Sequence, residues 1–396
     1  MPPKNAHSRI HVLAIGGAHQ FGHIVPVACE LARRHPGQVR LFVSTEAEVA
    51  AAMAYATQGA APEVVVMHLP AAAALLPASM HKSARLTLWA KRLRDAAMIL
   101  CAERTSTMLR RLPGDCPPIL HIPHGAGDRA VGFEPRFRLF DHVMLAGRKD
   151  RDRLVEAGFL RPEDCTVTGP VKLASVLGER LGGAQARPPL FDNARPTILY
   201  NPHFSKKLSS IEAFGRRLIA AVAADGRYNL VVAPHVRLAK RWSAAKRRAW
   251  EALAIPGQVI VDLGSARCND MTYTLGADLY VGDVSSQVYE FLVRPRPCLF
   301  VDAKGVDWRD SEDYAMWHFG EVIAPDADPV AAIERAFATH GAYVQWQRER
   351  MAYTIDGIAW LADGTPTFGA HCPVQEAADT VERFAGLRPK ALAAVA

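Results

Sequence analysis

Short apolar runs alternate with longer stretches of mixed character along the first half of the chain. A short apolar run bounded by Gly, Pro or polar residues is typical of a buried strand, and the longer stretches are typical of covering helices. The pattern predicts a helix over Pro26–Arg34. It predicts strands at His11–Ile15, Val39–Val43, Glu63–His68, Ile119–Ile122, His142–Leu145 and Thr166–Thr168. This alternation indicates a parallel α/β sheet.

The same alternation returns after a stretch from Gly178 to Pro196 that is rich in Gly, Pro and polar residues and predicts a linker. The second half predicts helices over Ser210–Ala223, Leu238–Leu253 and Ser286–Val293, and strands at Thr197–Tyr200, Asn229–Ala233, Gln258–Val261, Ala277–Val281 and Pro297–Val301. We therefore expect α/β domains over 1–177 and 197–375, a linker over 178–196, and a C-terminal helix over 376–396 that can cross back to the first domain. Ligands of such sheets bind beyond the carboxyl ends of the strands, in a cleft.

Composition narrows the class of protein. Apolar residues make up 49% and charged residues 22%, the balance of an ordinary folded domain. The 47 Lys and Arg against 40 Asp and Glu give a net charge of +7, which favours anionic partners such as nucleotides or lipid headgroups. No run of 18 apolar residues is present, so we expect no membrane-spanning helix. The N-terminal residues lack the hydrophobic region and cleavage site of a signal peptide, so we expect none. Seven scattered cysteines without a CxxC motif indicate a reducing cytoplasm.

A glycine-rich loop follows the first predicted strand. It contains Gly16, Gly17 and Gly22, together with His19 and His23. Glycines let a backbone approach a ligand closely, and the start of the next helix offers N–H groups to an anion. The loop lacks the G-x-G-x-x-G spacing of nicotinamide-binding sheets. A tight strand-to-helix turn with two surface histidines explains the pattern equally well.

Two further candidates also follow predicted strands. His124 and Gly125 form a corner where imidazole, with an ordinary pKa near 6.5, can take a proton from a hydroxyl. Its alternative is a histidine that caps a strand end. In the second half, Ser285 and Ser286 precede a predicted helix and offer donors to a diphosphate, and Glu290 can bind ribose hydroxyls. Helix capping explains Ser286 and Glu290 as well, but leaves the neighbouring Gly-Asp pair unexplained.

These motifs carry two family resemblances. The loop from Gly16 to Pro26 resembles the Gly-Gly…Gly-His-x-x-Pro loop of GT-B glycosyltransferases, particularly lipid-linked N-acetylglucosamine transferases. The chain from Ile119 to Asp302 resembles the CDP-glycerol glycerophosphotransferases of teichoic acid synthesis, which are also GT-B enzymes. The matching positions are His124-Gly125 (that family's WHG motif), Gly169, Pro170, Lys172, the strand from Thr197, Ala233-Pro234-His235, Gly282-Asp283-Val284-Ser285-Ser286 and Pro297–Asp302.

The sequence departs from the glycerophosphotransferase pattern at several positions. No tryptophan precedes His124, Val284 stands where the family has tyrosine, and the stretch 203–207 replaces a Thr-Trp-Arg. Within that stretch, Lys206 and Lys207 can still act as point charges toward a diphosphate. The departures leave both a sugar and glycerol phosphate open as the transferred group.

The resemblances imply a GT-B fold, with two Rossmann-like domains facing across a cleft. They imply a transferase that moves a glycosyl or glycerol-phosphate group from a CDP- or UDP-linked donor to a hydroxyl of a lipid or cell-envelope glycan. The N-terminal domain would bind the acceptor and the C-terminal domain the nucleotide. The candidate general bases are His124, His23 and His19. We prefer His124 because the motifs on either side of it resemble those of the glycerophosphotransferases. Expected donor contacts are Lys206, His235, Gly282, Asp283, Ser285, Ser286 and Glu290.

No metal or other cofactor is expected, because positive side chains and dipoles can stabilise a departing diphosphate. The segment Arg85–Arg111 predicts a long basic amphipathic helix, which either lies on an anionic membrane or covers the sheet with a solvated basic face. A second basic helix, Arg237–Arg248, adds to the positive field. We therefore expect a cytoplasmic protein that can be peripheral at the inner face of the membrane.

Two other functions stay open. Non-hydrolysing UDP-N-acetylglucosamine 2-epimerases share the implied fold and use carboxylates, but Gly16-Gly17-Ala18-His19 lacks their Arg-Pro-Glu. The other is a non-catalytic basic protein that binds nucleotides, nucleic acid or lipid. No RNA-binding aromatic motif, helix-turn-helix or zinc finger is present, so we expect no nucleic-acid partner.

Overall fold

The computed structural model describes residues 9–56, 61–181 and 188–387. Its first sheet consists of β1 Ile10–Ala14, β2 Val39–Val43, β3 Glu63–Val66, β4 Met98–Cys101, β5 Ile119–His121, β6 His142–Leu145 and β7 Cys165–Val167. The strands lie in the order β3-β2-β1-β4-β5-β6-β7, and every neighbouring pair is parallel. The predicted bounds of β2 and β6 are those observed.

The second sheet is also entirely parallel. It consists of β8 Thr197–Asn201, β9 Asn229–Val232, β10 Val259–Val261, β11 Leu279–Gly282, β12 Cys298–Val301 and β13 Glu321–Ile323. Its order is β10-β9-β8-β11-β12-β13. A small antiparallel hairpin follows, with β14 at Ala359–Trp360 and β15 at Pro366–Thr367. β13 was not predicted from the sequence.

Helices cover both sheets. In the first half they are α1 Phe21–Arg34, α2 Glu46–Met53, α3 Ala71–Ala74, α4 His81–Leu88, α5 Ala90–Leu93, α6 Arg148–Glu156 and α7 Val171–Leu181. In the second half they are α8 Arg216–Asp225, α9 Val236–Ala239, α10 Ala244–Glu251, α11 Thr272–Gly276, α12 Gln287–Phe291, α13 Pro329–Thr339, α14 Val344–Thr354 and α15 Pro373–Ala385. None of the helices in the described ranges is long and apolar enough to cross a membrane.

The last helix, α15, packs against α1 and α7 of the first half. Glu382 on α15 is buried, and its two carboxylate oxygens accept hydrogen bonds from Arg34 and His35 at the end of α1, at 3.0 and 2.6 Å. A buried carboxylate needs such partners to offset its lost hydration. The chain therefore returns to the first sheet after completing the second.

The predicted long helix over Arg85–Arg111 is wrong. α4 and α5 are followed by β4, the central strand of the first sheet, and then by a 3₁₀ helix at Arg104–Arg111. The seven apolar residues Ala96–Ala102 form this strand and its ends, and β4 is buried throughout. A short apolar run buried on both faces has no period of 2, so its pattern does not distinguish a strand from a helix.

Two other predicted boundaries are wrong. The helix predicted over Leu238–Leu253 is divided into α9 and α10, because the Ser243 side chain accepts a hydrogen bond from the Lys246 amide and so starts a new helix. The linker does not start at Gly178, since α7 continues to Leu181. The linker residues 182–187 lie outside the described ranges.

A buried polar cluster joins the two halves around Asp128, which follows β5. The Lys149 ammonium, on α6, donates to Asp128 Oδ1 at 2.8 Å. From the second half, the Tyr289 hydroxyl and the Met316 amide donate to Oδ2 at 2.7 and 3.1 Å. Asp128 and Lys149 are both fully buried. This cluster, which we call the Asp128 cluster, fixes how one half sits on the other.

Candidate functional site

A cleft of about 270 Å³ lies where the two halves face each other. Its walls carry an unusual number of histidines and arginines. The polar lining residues are His19, Arg104, His124, Arg129 and Asp150 from the first half, and His203, His235, Arg237, Ser285 and Ser286 from the second. The cleft thus collects cationic and hydrogen-bonding groups from several loops that follow strands, as expected for parallel sheets.

The loop after β1 brings His19 to this cleft. Gly17 has φ +104°, a conformation that favours glycine. A Cβ on Gly16 would overlap the side chains of Gln20 and Glu103, so glycine is needed for them to pack there. The ring of His19 lies 5.6 Å from that of His124, centroid to centroid. Gly16 and Gly17 therefore shape the loop and bring its histidine to the cleft.

His124 presents an exposed face to the cleft. Its Nδ1 lies 3.1 Å from the Ala102 carbonyl oxygen, which can only accept, so that contact places the proton on Nδ1 and leaves the lone pair on Nε2. The surrounding protein excludes water from much of the ring, and this burial lowers its pKa below 6.5. At neutral pH His124 is uncharged and able to accept a proton.

A chain of three polar side chains supports His124. The Gln20 amide nitrogen lies 3.2 and 3.3 Å from the two ring nitrogens of His124 and donates to Glu103 Oε1 at 2.5 Å. The Lys82 ammonium is 2.7 Å from Glu103 Oε2. Burial alone would raise the pKa of Glu103, but Lys82 and Gln20 hold it below its usual value. A negative charge is therefore held close to His124, where it favours proton uptake by the ring.

His23 does not line the main cleft. It faces a side chamber of about 70 Å³ next to it, together with Lys172 and Glu290. Burial, with a contribution from nearby Lys172, lowers the pKa of His23 well below 6.5. A Cβ on Gly22 would lie 2.8 Å from Lys172 Cγ, so this glycine allows α1 and α7 to approach.

On the second-half wall, the Phe204 ring packs at a tilt against the rings of His203 and His235. The Phe204 ring centroid lies 4.2 Å from that of His203 and 4.9 Å from that of His235, and the Arg237 guanidinium lies 4.3 Å from it. Burial, followed by the charges of neighbouring groups, lowers the pKa of His203 to about 3 and that of His235 to about 4. Arg237 thus remains the permanent charge of this group.

The serine loop touches the His-Gly corner across the cleft. Gly125 has φ +88°, and a Cβ there would lie 3.0 Å from Ser286 Oγ. Ser285 is buried, whereas Ser286 is partly exposed and lines both the cleft and the side chamber. The His124-Gly125 corner and the serine loop, two motifs singled out from the sequence, are therefore in contact in the fold.

Four predicted donor contacts have other surroundings. Asp283 is fully buried, and its carboxylate accepts from the amides of His203 and Ser210 and from the Ser210 hydroxyl. Gly282 is buried at the end of β11 beside Tyr280. Lys206 is exposed and lines none of the cavities described above. None of these three residues lines the cleft or the side chamber, so the structure adds no support to the prediction that they contact the donor.

Glu290 is the fourth, and it lies in the side chamber. Its Oε1 is 2.5 Å from the Lys172 ammonium of the first half. Its Oε2 is buried and has no hydrogen-bond partner among the described residues. One oxygen of Glu290 thus bridges the halves, and the other is available to accept a hydrogen bond.

Several cleft residues were missed by the sequence reasoning. Arg104, Arg129 and Asp150 line the cleft but lie on segments without a recognisable motif. In the sequence, His203 stands out only as part of the stretch that replaces the family's Thr-Trp-Arg, and Arg237 only as part of the second basic helix. No signal in a single sequence separates these from surface charges. Within the described ranges, no group of three or more His, Cys, Asp or Glu is arranged to hold a metal ion.

The sequence matches no protein-family model and no curated protein. The structure, however, matches solved enzymes over nearly its whole length. The wall teichoic acid polymerase TagF, in a structure with CDPG, superposes with a TM-score of 0.62 at 12% identity, covering 96% of this chain and 89% of that one. The UDP-GlcNAc 2-epimerase of Neisseria meningitidis gives 0.61 at 13% identity, covering 95% and 100%.

A third similar structure, the S. aureus MnaA–UDP complex, gives a TM-score of 0.59 at 11% identity, covering 96% of this chain and 98% of that one. The chain has the GT-B fold. This confirms the fold class predicted from the sequence. GT-B proteins contain two facing α/β sheets, and the cleft described above is the space between them in this chain.

The lowered pKa values of the cleft histidines predict a specific loss of stability in acid. His203 and His235 take up protons near pH 6.5 when unfolded but only near 3 and 4 when folded. Below pH 6.5 the unfolded state binds more protons, so the free energy of unfolding falls as pH is lowered toward 4, by at most ~1.4 kcal/mol per pH unit for each histidine. We expect His203→Gln to lose less stability than the parent between pH 7 and 5 in denaturant titrations.

The matched control is His68→Gln, because the His68 side chain is 68% exposed to solvent and lies outside the cleft. It should follow the parent at both pH values. Equal pH dependence of all three proteins would contradict the assignment of a neutral His203.

Proposed function

We propose that this GT-B protein transfers a glycosyl or glycerol-phosphate group from a CDP- or UDP-linked donor to a hydroxyl of a lipid or cell-envelope glycan. The observation that carries the proposal is the meeting of His124, with its uncharged and accepting ring, and Ser286 in one cleft. The similar structures TagF with CDPG and the epimerase bound to UDP-GlcNAc add support for a nucleotide ligand.

The proposed reaction has one proton acceptor. As the acceptor oxygen attacks the donor, its proton passes to His124 Nε2, and the bond from the transferred group to the leaving phosphate breaks. Glycosyl transfer releases a nucleoside diphosphate, and glycerol-phosphate transfer releases a nucleoside monophosphate. General-base help of this kind contributes about 10²–10⁴ in rate.

The second-half wall has the groups that a diphosphate needs. Arg237 is permanently charged, Ser286 offers a hydroxyl, and His235 offers its ring beside them. A phosphate placed there would also raise the pKa of His235, because a nearby negative charge favours the protonated ring. In the side chamber, Glu290 Oε2 is free among the described residues to accept from a ribose hydroxyl. These groups supply the charge stabilisation that the leaving phosphate requires.

Donor binding should depend on these second-half residues. His235→Ala, Ser286→Ala and Glu290→Ala each remove a proposed contact to a charged phosphate or from a ribose hydroxyl. Loss of such a bond costs about 1.5–3 kcal/mol, which is roughly a 10- to 150-fold rise in Kd. Isothermal titration calorimetry with CDP, UDP and GDP measures the rise in Kd and identifies the preferred nucleobase.

Lys206→Ala is the control, since Lys206 is exposed and lies outside the cleft. Its Kd should match that of the parent. Unchanged affinity in all three cleft variants would remove the donor site from the second half.

Two matched substitutions test which histidine is the general base. His124→Gln should reduce turnover by about 10²-fold or more, with little change in nucleotide Kd, because only proton transfer is lost. His23→Gln should do less, because His23 faces the side chamber and its pKa is strongly lowered. Steady-state kinetics with the preferred donor decides the order, and a larger loss in His23→Gln would assign the base to the glycosyltransferase-like loop.

A 2-epimerase is the second candidate, because the similar structures include UDP-GlcNAc 2-epimerases. An epimerase needs no acceptor. Incubation with UDP-GlcNAc alone, followed by proton NMR of the sugar, therefore separates the two functions. Formation of the C2 epimer without an acceptor would replace the transferase proposal.

Membrane contact is a further part of the proposal, and its basis is three exposed apolar side chains that lie near one another in the sequence. Leu75, Met80 and Leu88 are 87%, 50% and 54% exposed on the consecutive segments 71–88. Exposed Lys91 and Arg92 follow on α5. Apolar side chains next to cationic ones match the interface of an anionic bilayer. The proposed acceptor, a lipid, would then be presented on the side of the first half.

The full chain should sediment with phosphatidylglycerol vesicles and not with phosphatidylcholine vesicles. About 0.5 M salt should release it, because the Debye length shortens to a few ångströms. The double variant Leu75→Glu/Leu88→Glu should stay in the supernatant, whereas the control Leu361→Glu, at a 56% exposed site in the second half, should behave as the parent. If the parent protein stays in the supernatant with phosphatidylglycerol vesicles at low salt, this part of the proposal is contradicted.

A further inference from the structure

The first-half side of the cleft contains a recess that the proposed reaction has not used. Its walls include the rings of Phe133 and Phe137 and the side chains of Leu145 and Leu154. Among the residues that the structure describes, Asp150 is the one acidic residue lining the cleft. We call this space the Asp150 recess. Arg104 lines the same side of the cleft, with its guanidinium 5.9 Å from the Phe137 ring, but it is also 3.0 Å from Glu134 Oε1, so its charge is already paired. Arg129, also on this side, lies over the ring of Tyr314 from the second half.

Asp150 is held in an unusual state for a carboxylate. It is the third residue of α6, it is only 6% exposed, and its Oδ1 has no hydrogen-bond partner among the described residues. The nearest cation is the Lys149 ammonium, 3.7 Å from Oδ1, and that ammonium already donates to Asp128 and to two carbonyl oxygens. Burial raises the pKa of Asp150 to about 6. A buried acceptor without a partner costs about 1–3 kcal/mol.

A ligand hydroxyl would remove that cost. A carboxylate accepts hydrogen bonds from hydroxyl groups, and aromatic rings pack on the apolar faces of sugars and polyols. A phosphate in the recess would instead bring a second negative charge next to Asp150. The chemistry of this recess therefore favours a neutral group with several hydroxyls.

We propose that the Asp150 recess binds a neutral sugar or polyol portion of the acceptor, with the Asp150 carboxylate accepting a hydrogen bond from one of its hydroxyls. His124 borders the same cleft, so a hydroxyl of the bound group can lie within reach of that ring. This role rests on the proposed transferase function for its meaning, but the binding itself requires no turnover.

The test is direct binding to the full chain. Saturation-transfer NMR titrations use glycerol and N-acetylglucosamine as neutral probes and glycerol 3-phosphate as the anionic probe. We expect at least one neutral probe to bind more tightly than the anionic probe. Asp150→Asn should raise that Kd at least fivefold, because a hydrogen bond to a charged acceptor is stronger than one to a neutral acceptor.

The control Glu156→Gln removes the same charge from an exposed position at the end of the same helix and should leave the Kd unchanged. Phe133→Ala, at a partly exposed position in the recess wall, provides a second test if Asp150→Asn does not fold. It should also raise the Kd of the neutral probe. Preference for the anionic probe, or equal Kd in the parent and the folded recess variants, would overturn the proposal.

The two proposals fail separately. If the chain binds a nucleotide but none of the neutral probes, the recess proposal is contradicted and the transferase proposal is not. Asp150-dependent binding of a neutral probe by a chain that binds no nucleotide supports the recess and ends the transferase proposal.

Discussion

The buried carboxylate of Asp128 is the interaction on which the geometry of the cleft depends. It lies three residues beyond Gly125, and it accepts from Lys149 on its own half and from Tyr289 and the Met316 amide on the other. Removal of one partner from a buried charged group is far more costly than the net value of the pair, so the whole set stays together. The cluster holds the His-Gly corner and the serine loop close together, so that both line the same cleft.

The two walls of the cleft have different electrostatic character. On the second half, Arg237 keeps its charge while His203 and His235 are neutral and able to gain one. On the first half, Glu103 holds a negative charge close to His124, and Asp150 lies in an apolar recess. Arg104 and Arg129 also line the first-half side, so cationic groups face the cleft from both halves. Such groups together with one hydroxyl-accepting recess suit a ligand pair in which one member is a phosphate ester and the other is neutral, and the proposed function rests on that combination.

The fold was largely predictable from local pattern, and the site only in part. Buried strands such as Val39–Val43 are short apolar runs between polar residues, whereas β4 merges with the apolar residues that flank it. His124 and Ser286, which line the cleft, could be proposed from the sequence because each lies in a strand-to-loop motif that has a recognisable sequence. Arg104 and Asp150 were missed, since tertiary packing alone makes an ordinary charged residue part of a cleft. Conversely, Asp283 lies in a motif, but its carboxylate accepts hydrogen bonds from backbone amides. A motif alone does not tell whether an aspartate accepts from the backbone or from a ligand.

The contact between Gly125 and Ser286 also sets how closely the two halves approach. Because the glycine has no Cβ, the two loops lie so near each other that a single methyl group at Gly125 would be 3.0 Å from the serine oxygen. The φ of +88° is unfavourable for any other residue as well, so two independent constraints require glycine at this position. The width of the cleft at this point is therefore set by bare backbone, and even the smallest side chain there would widen it.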